Sequence, residues 1–515
     1  MREKIIGPDY KSLKNNYVSK NIVDNENFLR SILSKSDDLQ FRKLRCGREN
    51  KEVLIVYMEY MVRREIIESY VLTPLISLWE NDREDNIIEI DNLKNNVFKV
   101  LDVEEADTFD KLILSLLSGS SLIFLDGSDR TLIIKSEEEK ERAIDIPQSE
   151  QTIRGSRVGF TESIKTNISL IRKQIKDPNL AMEMIKLGKR SQKDLAIMYI
   201  RGVINNELPS TIIEKLQQVD IDGVLGAGQL DQLFEKKKWS ILPQMMITER
   251  LDRVLGGLLE GQAAIILDGT PFVIILPATF KMFLNSPDDY FQRPIVASIL
   301  LRLIRYLGFF IATSLAPLYL ALTIYQPGMI PTPLALSITG SRLGLPFPMV
   351  VEVLVMEITL YTLQEASIRL PKPMGTTVGV VGGLVIGQSV VTAGIISPII
   401  VIIVAGSAIS SFALPSYPFS LGCTVIRIFL LAMSSILGLY GVVMGWIILV
   451  INLASLENFG IRYLSDYSPF SITNFKDSII RVSESYIYKR PSNLKLEDDI
   501  KNNSVKAEDK KDDRW

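Results

Sequence analysis

The chain has no histidine at all, which removes the side chain that most often serves as general base or metal ligand near neutral pH. Its 515 residues hold two cysteines, Cys46 and Cys423, too few and too far apart for a disulfide framework or a cysteine-ligated zinc site. Net charge is equally scarce. The 58 basic and 60 acidic residues leave a formal charge of -2, without the basic excess that a nucleic-acid surface demands. There is no Gly-x-Ser-x-Gly elbow and no constellation of nucleophile, base and electrophile, so neither an enzyme nor a cofactor site is expected. The first residues, MREKIIGPDYKSLKNN, have no apolar core and do not read as a signal peptide.

A second scarcity is local. Only nine Asp, Glu, Lys or Arg residues lie between Pro294 and Leu456, which marks a membrane-embedded region. Its first span is YLGFFIATSLAPLYLALTIY (Tyr306 to Tyr325), uncharged, with Pro317 expected to kink it. Arg293, Arg302 and Arg305 precede this span and Arg342 alone follows it, an asymmetry that places the N-terminal region in the cytoplasm. Further apolar stretches run from Val351, from Thr376 to Gly394, from Ile395 to Leu414 and from Val425 to Leu453. The last is long for one span and short for two, with a break expected at Gly438 to Gly441. Five or six membrane segments result, and an even number would return the C-terminus to the cytoplasm.

The rest divides into residues 1–50, a polar flexible N-terminus, an α/β lobe at 51–150, a second at 151–293, and a polar tail at 457–515 that ends in disorder. Two lobes are expected because DKLILSLLSGSSLIFLDG (Asp110 to Gly127) aligns without a gap on DRVLGGLLEGQAAIILDG (Asp252 to Gly269), eight of eighteen positions being identical. Each copy reads as a helix, a glycine stop, a strand, and an Asp-Gly turn into a second strand, Thr131 to Ser136 or Pro271 to Leu276. EVLIVYMEYMV (Glu52 to Val62) reads as a strand running into a helix, and Thr161 to about Gln218 as strongly helical. The fold class is therefore an α/β N-terminal region of two lobes followed by an α-helical, multi-pass membrane domain.

Within the membrane region, VEVLVMEITLYTLQEASIRLPKPMG (Val351 to Gly375) carries charges that hydrocarbon disfavours by about 2.5 kcal/mol or more each. At 100° per residue Glu352 and Thr359 share one stripe, while Glu357, Tyr361 and Gln364 share another. Glu365 and Arg369 are spaced to pair on a helix. Three arrangements satisfy such a helix: an interfacial one with its acids in water, a bundle with its acids paired to arginines such as Arg302 or Arg305, or the wall of a cation path. Pro371 and Pro373, flanking Lys372, end the helix in a rigid bend. Gly379, Gly383 and Gly387, spaced by four and followed by Gln388, read as a helix-packing face, since no Lys-Ser/Thr follows to make a phosphate loop.

From about Arg142 to Pro491 the chain resembles the A subunit of the GerA family of spore germinant receptors. The motifs that carry the resemblance are LPQMMITER (Leu242 to Arg250), EGQAAIILDGTPFVIILP (Glu260 to Pro277), SPDDYFQR (Ser286 to Arg293), RLPKPMG (Arg369 to Gly375), GGLVIGQ (Gly382 to Gln388), GIISP (Gly394 to Pro398) and SFALPSY (Ser411 to Tyr417). Departures fall at Leu251, where the family usually has proline, and at Gly328 and Leu343, where it has acidic residues.

The resemblance implies a subunit of a nutrient receptor in the inner membrane of the bacterial spore. It implies a transporter-like B subunit and a lipoprotein C subunit as partners, and a homo-oligomer of A subunits that passes ions. On that basis Glu352, Glu357, Thr359, Tyr361 and Gln364 are candidates for the ion pathway, and Glu365, Arg369, Pro371, Lys372 and Pro373 for a structural bend. A secondary transporter is the rival reading, although no membrane repeat supports it; a non-conducting scaffold subunit is another.

Overall fold

The structure is a computed structural model that describes residues 16–46, 51–80, 89–137, 155–235, 240–291, 295–371, 387–469 and 489–501, with single positions 147, 150, 237, 375, 382, 383, 385 and 478. It contains two compact units. One holds residues 1–236, 245–278 and 483–515; the other holds 237–244 and 279–482.

The first unit is two copies of one α/β lobe. Lobe 1 comprises helix α1 (Ile22–Ile32), strands β1 (Leu39–Cys46) and β2 (Lys51–Met58), helix α2 (Thr73–Glu80), strand β3 (Val103–Ala106), helix α3 (Phe109–Leu117), and strands β4 (Ser121–Leu125) and β5 (Thr131–Ile134). The sheet is antiparallel in the order β1-β2-β4-β5-β3. Its central strand β2 alternates strictly: Leu54, Val56 and Met58 pack with α1 and α3, while Val53, Ile55 and Tyr57 pack with apolar residues of Ile67 to Leu75 and Ile90 to Phe98. Both faces are thus covered, which is why this strand reads as a continuous apolar run.

Lobe 2 repeats the plan. Helix α4 (Ile164–Gln174), strands β6 (Leu180–Leu187) and β7 (Lys193–Ile200), helices α5 (Glu207–Gln217) and α6 (Ala227–Phe234), strand β8 (Met246–Thr248), helix α7 (Leu251–Leu259), and strands β9 (Ala263–Leu267) and β10 (Val273–Leu276) give the order β6-β7-β9-β10-β8. The correspondence reaches single hydrogen bonds, at the spacing that relates Asp110 to Asp252. Asn25 exchanges bonds with the backbone of Ser19, as Asn167 does with Thr161. The Asp126 carboxylate accepts from the Ile22 amide, and that of Asp268 from Ile164. The amide of Gly127 donates to the Lys20 carbonyl, and that of Gly269 to Glu162, both at 2.8 Å.

Three expectations are corrected here. Lobe 1 begins well before residue 51, because α1 and β1 supply its first helix and edge strand despite their polar composition. Residues 180–200 are a β-hairpin rather than helix: the Met, Ala and Leu residues of β7 are buried as a central strand, and Gly188 turns the chain at φ +90. Tertiary burial overrides their helix propensity. After β2 the chain turns before its next helical segment, so Glu59 to Val62 is not helix. The segments 138–146 and 502–515 lie outside the described residues, as do Lys372, Pro373 and Gly379.

In the second unit, helix α8 (Ile295–Ile324) continues through Pro317, followed by α9 (Thr332–Ser341), α10 (Met349–Arg369), α11 (Pro398–Phe412) and α12 (Tyr417–Ala454). Two of these, α8 and α12, are long and apolar enough to cross a membrane. Helix α12 is not one rod. Gly438 has φ 61 and ψ -139, and there the chain folds back on itself. A Cβ on Gly445 would meet Leu430 at 2.6 Å, and Phe309 touches both Phe419 and Trp446. An unbroken helix would hold Phe419 and Trp446 about 40 Å apart. Glycine is required at this reversal, because only it adopts that backbone freely and a Cβ would strike the Tyr325 ring at 2.7 Å.

Candidate functional site

Helix α10 carries the charged stretch. Pro348 precedes it, and it ends at Arg369, where Leu370 turns to an extended conformation before Pro371. Proline cannot continue the ladder, and its predecessor is pushed out of the α region.

Glu352 is completely buried. One carboxylate oxygen accepts from the Ser397 amide at 2.9 Å and the other from Arg342 at 3.1 Å. Ser397 is the residue before α11, so Glu352 caps a neighbouring helix, where the positive end of its dipole favours an anion. The Ser341 and Ser397 hydroxyls, 3.2 Å apart, complete the polar junction.

Glu357, 3 % exposed, lies 3.0 Å from Nε of Arg427, which is itself 1 % exposed. The pair touches without a linear hydrogen bond. Arg427 spends its other donors on the Ala312 carbonyl, at 2.7 Å, and on the Tyr361 hydroxyl, which also bonds Thr424. Through this one guanidinium, α8, α10 and the first half of α12 are joined.

The partners differ from the expected ones. Arg302 and Arg305 do not reach α10; both bind Asp289, buried at 0 % exposure, thirteen and sixteen positions upstream. They are supplied locally by the SPDDYFQR motif, leaving Arg342 and Arg427 for the acids of α10. Arg427 was detectable in sequence only as a lone cation in an apolar run.

Other residues of the stretch are less enclosed. Thr359 is half-buried and donates to the Val355 carbonyl at 2.7 Å; Tyr361 and Gln364 are half-buried. Glu365 and Arg369 form the expected i, i+4 pair, Nε to carboxylate at 2.8 Å, both exposed. Val351, Leu354, Val355 and Ile358 form an exposed apolar stripe down the same helix, continued by Thr362. Of the expected packing face, Gly383, Gly387 and Gln388 are among the described residues. Gly383 and Gln388 are exposed, and a Cβ on Gly387 would only graze Val401 at 4.0 Å. The close approach is at Gly382, where a Cβ would meet Leu363 of α10 at 2.6 Å. Among the described residues no cluster of carboxylates or cysteines is arranged to hold a metal.

Two duplicated α/β lobes in one unit, and in the other an apolar helical bundle with internally paired charges and two helices long enough to cross a membrane, are the frame of a membrane-associated protein. Comparison with known proteins gives the lineage. The family model described as Bacillus/Clostridium GerA spore germination protein matches residues 27–493, and the chain belongs to that family. Spore germination protein KA of Bacillus subtilis is 38 % identical over 485 residues, 94 % of this chain and 88 % of that protein. Spore germination protein GerLA of Bacillus cereus is 34 % identical, covering 91 % of this chain and 95 % of its own. A crystal structure of the N-terminal domain of the A subunit of the Bacillus megaterium spore germinant receptor GerK3 is 31 % identical, over 52 % of this chain and 98 % of that one, with a TM-score of 0.41.

Proposed function

We propose that this chain is the A-type membrane subunit of a nutrient germinant receptor, which triggers spore germination as an oligomeric, nutrient-gated cation channel. The observation that carries the reading is the family match across residues 27–493, which takes in the lobes and the helical unit together. Its partners are a transporter-like B subunit and a lipoprotein C subunit, in the inner membrane of the spore, with both lobes on the cytoplasmic side. Nutrient bound to a partner shifts a closed-to-open equilibrium only if that partner contacts the two states differently.

In this reading α10 borders the conduction path. Its apolar stripe from Val351 to Ile358 and the polar positions Thr359, Tyr361, Thr362 and Gln364 stand at the wall, with Glu352 and Glu357 behind it. The two acids set the position of the wall through Arg342, Ser397 and Arg427. Glu365, Arg369 and the Pro371 bend fix where the wall ends. The exposed Gly383 and Gln388 are free for contact between copies.

The test uses purified protein in planar bilayers and spores carrying Glu352→Gln or Glu357→Gln. Single-channel cation current is expected from the unsubstituted chain. Glu357→Gln leaves the buried Arg427 without its counter-charge, at a cost of about 3–5 kcal/mol, whereas Glu352→Gln removes the charge that the half-buried Arg342 and the Ser397 amide share; each is expected to change the rate of ion release, the first by at least about tenfold. Unchanged release and cation preference in both variants would remove the acids from the pathway. A non-conducting scaffold subunit is the second reading, favoured by the neutralisation of both acids within one chain; a sealed bilayer would select it.

A further inference from the structure

The two lobes close one equivalent corner in different ways. In lobe 1, Gly119 follows α3 at φ +101 and its open side is covered by Met61 and Glu137. The segment leaving β5 supplies that cover: Val62 bridges Glu137, and the Arg63 amide donates to the Ser136 carbonyl at 2.9 Å. In lobe 2 the counterpart is Gly261, at φ +86 after α7. Here the segment leaving β10 passes through Pro277 and Ala278 into the second unit, and the atoms nearest a Cβ on Gly261 belong instead to Leu496 and Val203.

The cover comes instead from residues beyond that unit. Leu496 packs on Gly261 beside Val203. The Glu497 amide donates to the Val203 carbonyl at 3.2 Å, and Asn206 donates to the Glu497 carboxylate at 3.2 Å. Arg490 donates through Nε to the Leu259 carbonyl at 3.0 Å, satisfying the open end of α7. The segment is folded on itself as well: Lys489 bridges Ile500, and Arg490 reaches Asp498 and the Ile500 carbonyl, each at 2.7 Å. Leu494 is 6 % exposed.

We infer that residues 489–501 are a strap that docks on lobe 2 in the native protein and returns the chain to the face of the membrane that holds both lobes. A segment docked on lobe 2 shares its compartment, so the stretch between Ala278 and Lys489 crosses the membrane an even number of times. The reversal at Gly438, within the expected break, fits such a count, since it divides Tyr417–Ala454 into two passes. The inference rests on the membrane reading above, and the experiment separates the two.

Single cysteines are placed in the full chain, with Cys46 replaced by Ser and the native Cys423 left buried. The variants are Ser492→Cys on the strap, Ser210→Cys on lobe 2 and Met329→Cys in the loop after α8, all exposed positions. In sealed vesicles of defined orientation, an impermeant maleimide is expected to label Ser492→Cys and Ser210→Cys from one face and Met329→Cys from the other. Labelling of Ser492→Cys on the Met329→Cys face overturns the even count while leaving the membrane reading intact. Equal labelling of all three from both faces overturns the membrane reading, and the even count with it. Docking is read separately by hydrogen exchange on the purified full chain. Slow exchange across 489–501, sped by roughly tenfold or more in Leu496→Glu with α4 unchanged, is expected; fast exchange in the unsubstituted chain overturns the strap.

Discussion

Arg30 in lobe 1 and Arg172 in lobe 2 occupy equivalent places on equivalent helices, yet they do different things. Arg30 is half-exposed, paired with Glu26 on its own helix and stacked over Phe41 at 4.0 Å. Arg172 is buried at 1 % exposure and grips Asp38 of lobe 1 with two bonds, of 3.0 and 2.8 Å. Next to it the backbone of Lys35 and Asp37 exchanges hydrogen bonds with Met182 at the edge of the second sheet. A duplicated frame therefore keeps what folds each copy, such as Asn25 and Asn167, and diverges where the copies meet. Positions that match report folding, and positions that differ report assembly.

The comparison breaks most visibly at Arg172. Arg172→Ala leaves Asp38 buried without its cation, a loss of about 3–5 kcal/mol. Arg30→Ala removes an exposed pair worth about 0–1 kcal/mol. Denaturant unfolding of the two-lobe unit, followed in the full chain, should show the first as a large shift in midpoint, accompanied by separate melting of the lobes, and the second as almost none. Equal effects would mean that the lobes do not depend on this clasp. The matched positions predict the opposite pattern. Asn25→Ala and Asn167→Ala each orphan the same two backbone groups, so each should destabilise its own lobe by about 1–3 kcal/mol, and by similar amounts. A strongly unequal pair would show that the shared hydrogen bonds no longer do the same job.

The duplication was legible in sequence because its Asp-Gly turn and glycine stop need particular backbone angles that few residues provide, and those residues survived in both copies. The strands at 180–200 were not, since Met, Ala and Leu carry no period that separates a doubly buried strand from a helix. The need to satisfy the acids of α10 was also legible, from the cost of charge in hydrocarbon alone. Their partners were not. Arg302 and Arg342 look alike in one dimension, and only the fold reveals that Asp289 has already claimed the first. The cap of α11 by Glu352 is a contact across forty-five residues for which no local pattern exists.

The smallest expected effect lies where the lobes are bridged differently between their second and third strands. Lobe 2 uses α5 and α6 there, and Asp231 on α6 has a buried carboxylate oxygen, Oδ1, with no hydrogen-bond partner. Burial, then the charge of Glu235 one turn on, pushes its pKa up to about 7 from the ordinary 3.8. The folded group thus keeps its proton to higher pH than the unfolded one. Its favourable state is fully present in acid and is lost as the pH climbs from about 4 through about 7. Asp231→Asn keeps the group neutral throughout, so it should raise the melting temperature of the two-lobe unit by a few degrees near pH 8 and leave it unchanged near pH 4. Melting curves of both proteins across that range provide the check. A constant offset at every pH would show that the substitution acts through packing, whereas an offset that grows with pH assigns the penalty to the buried charge.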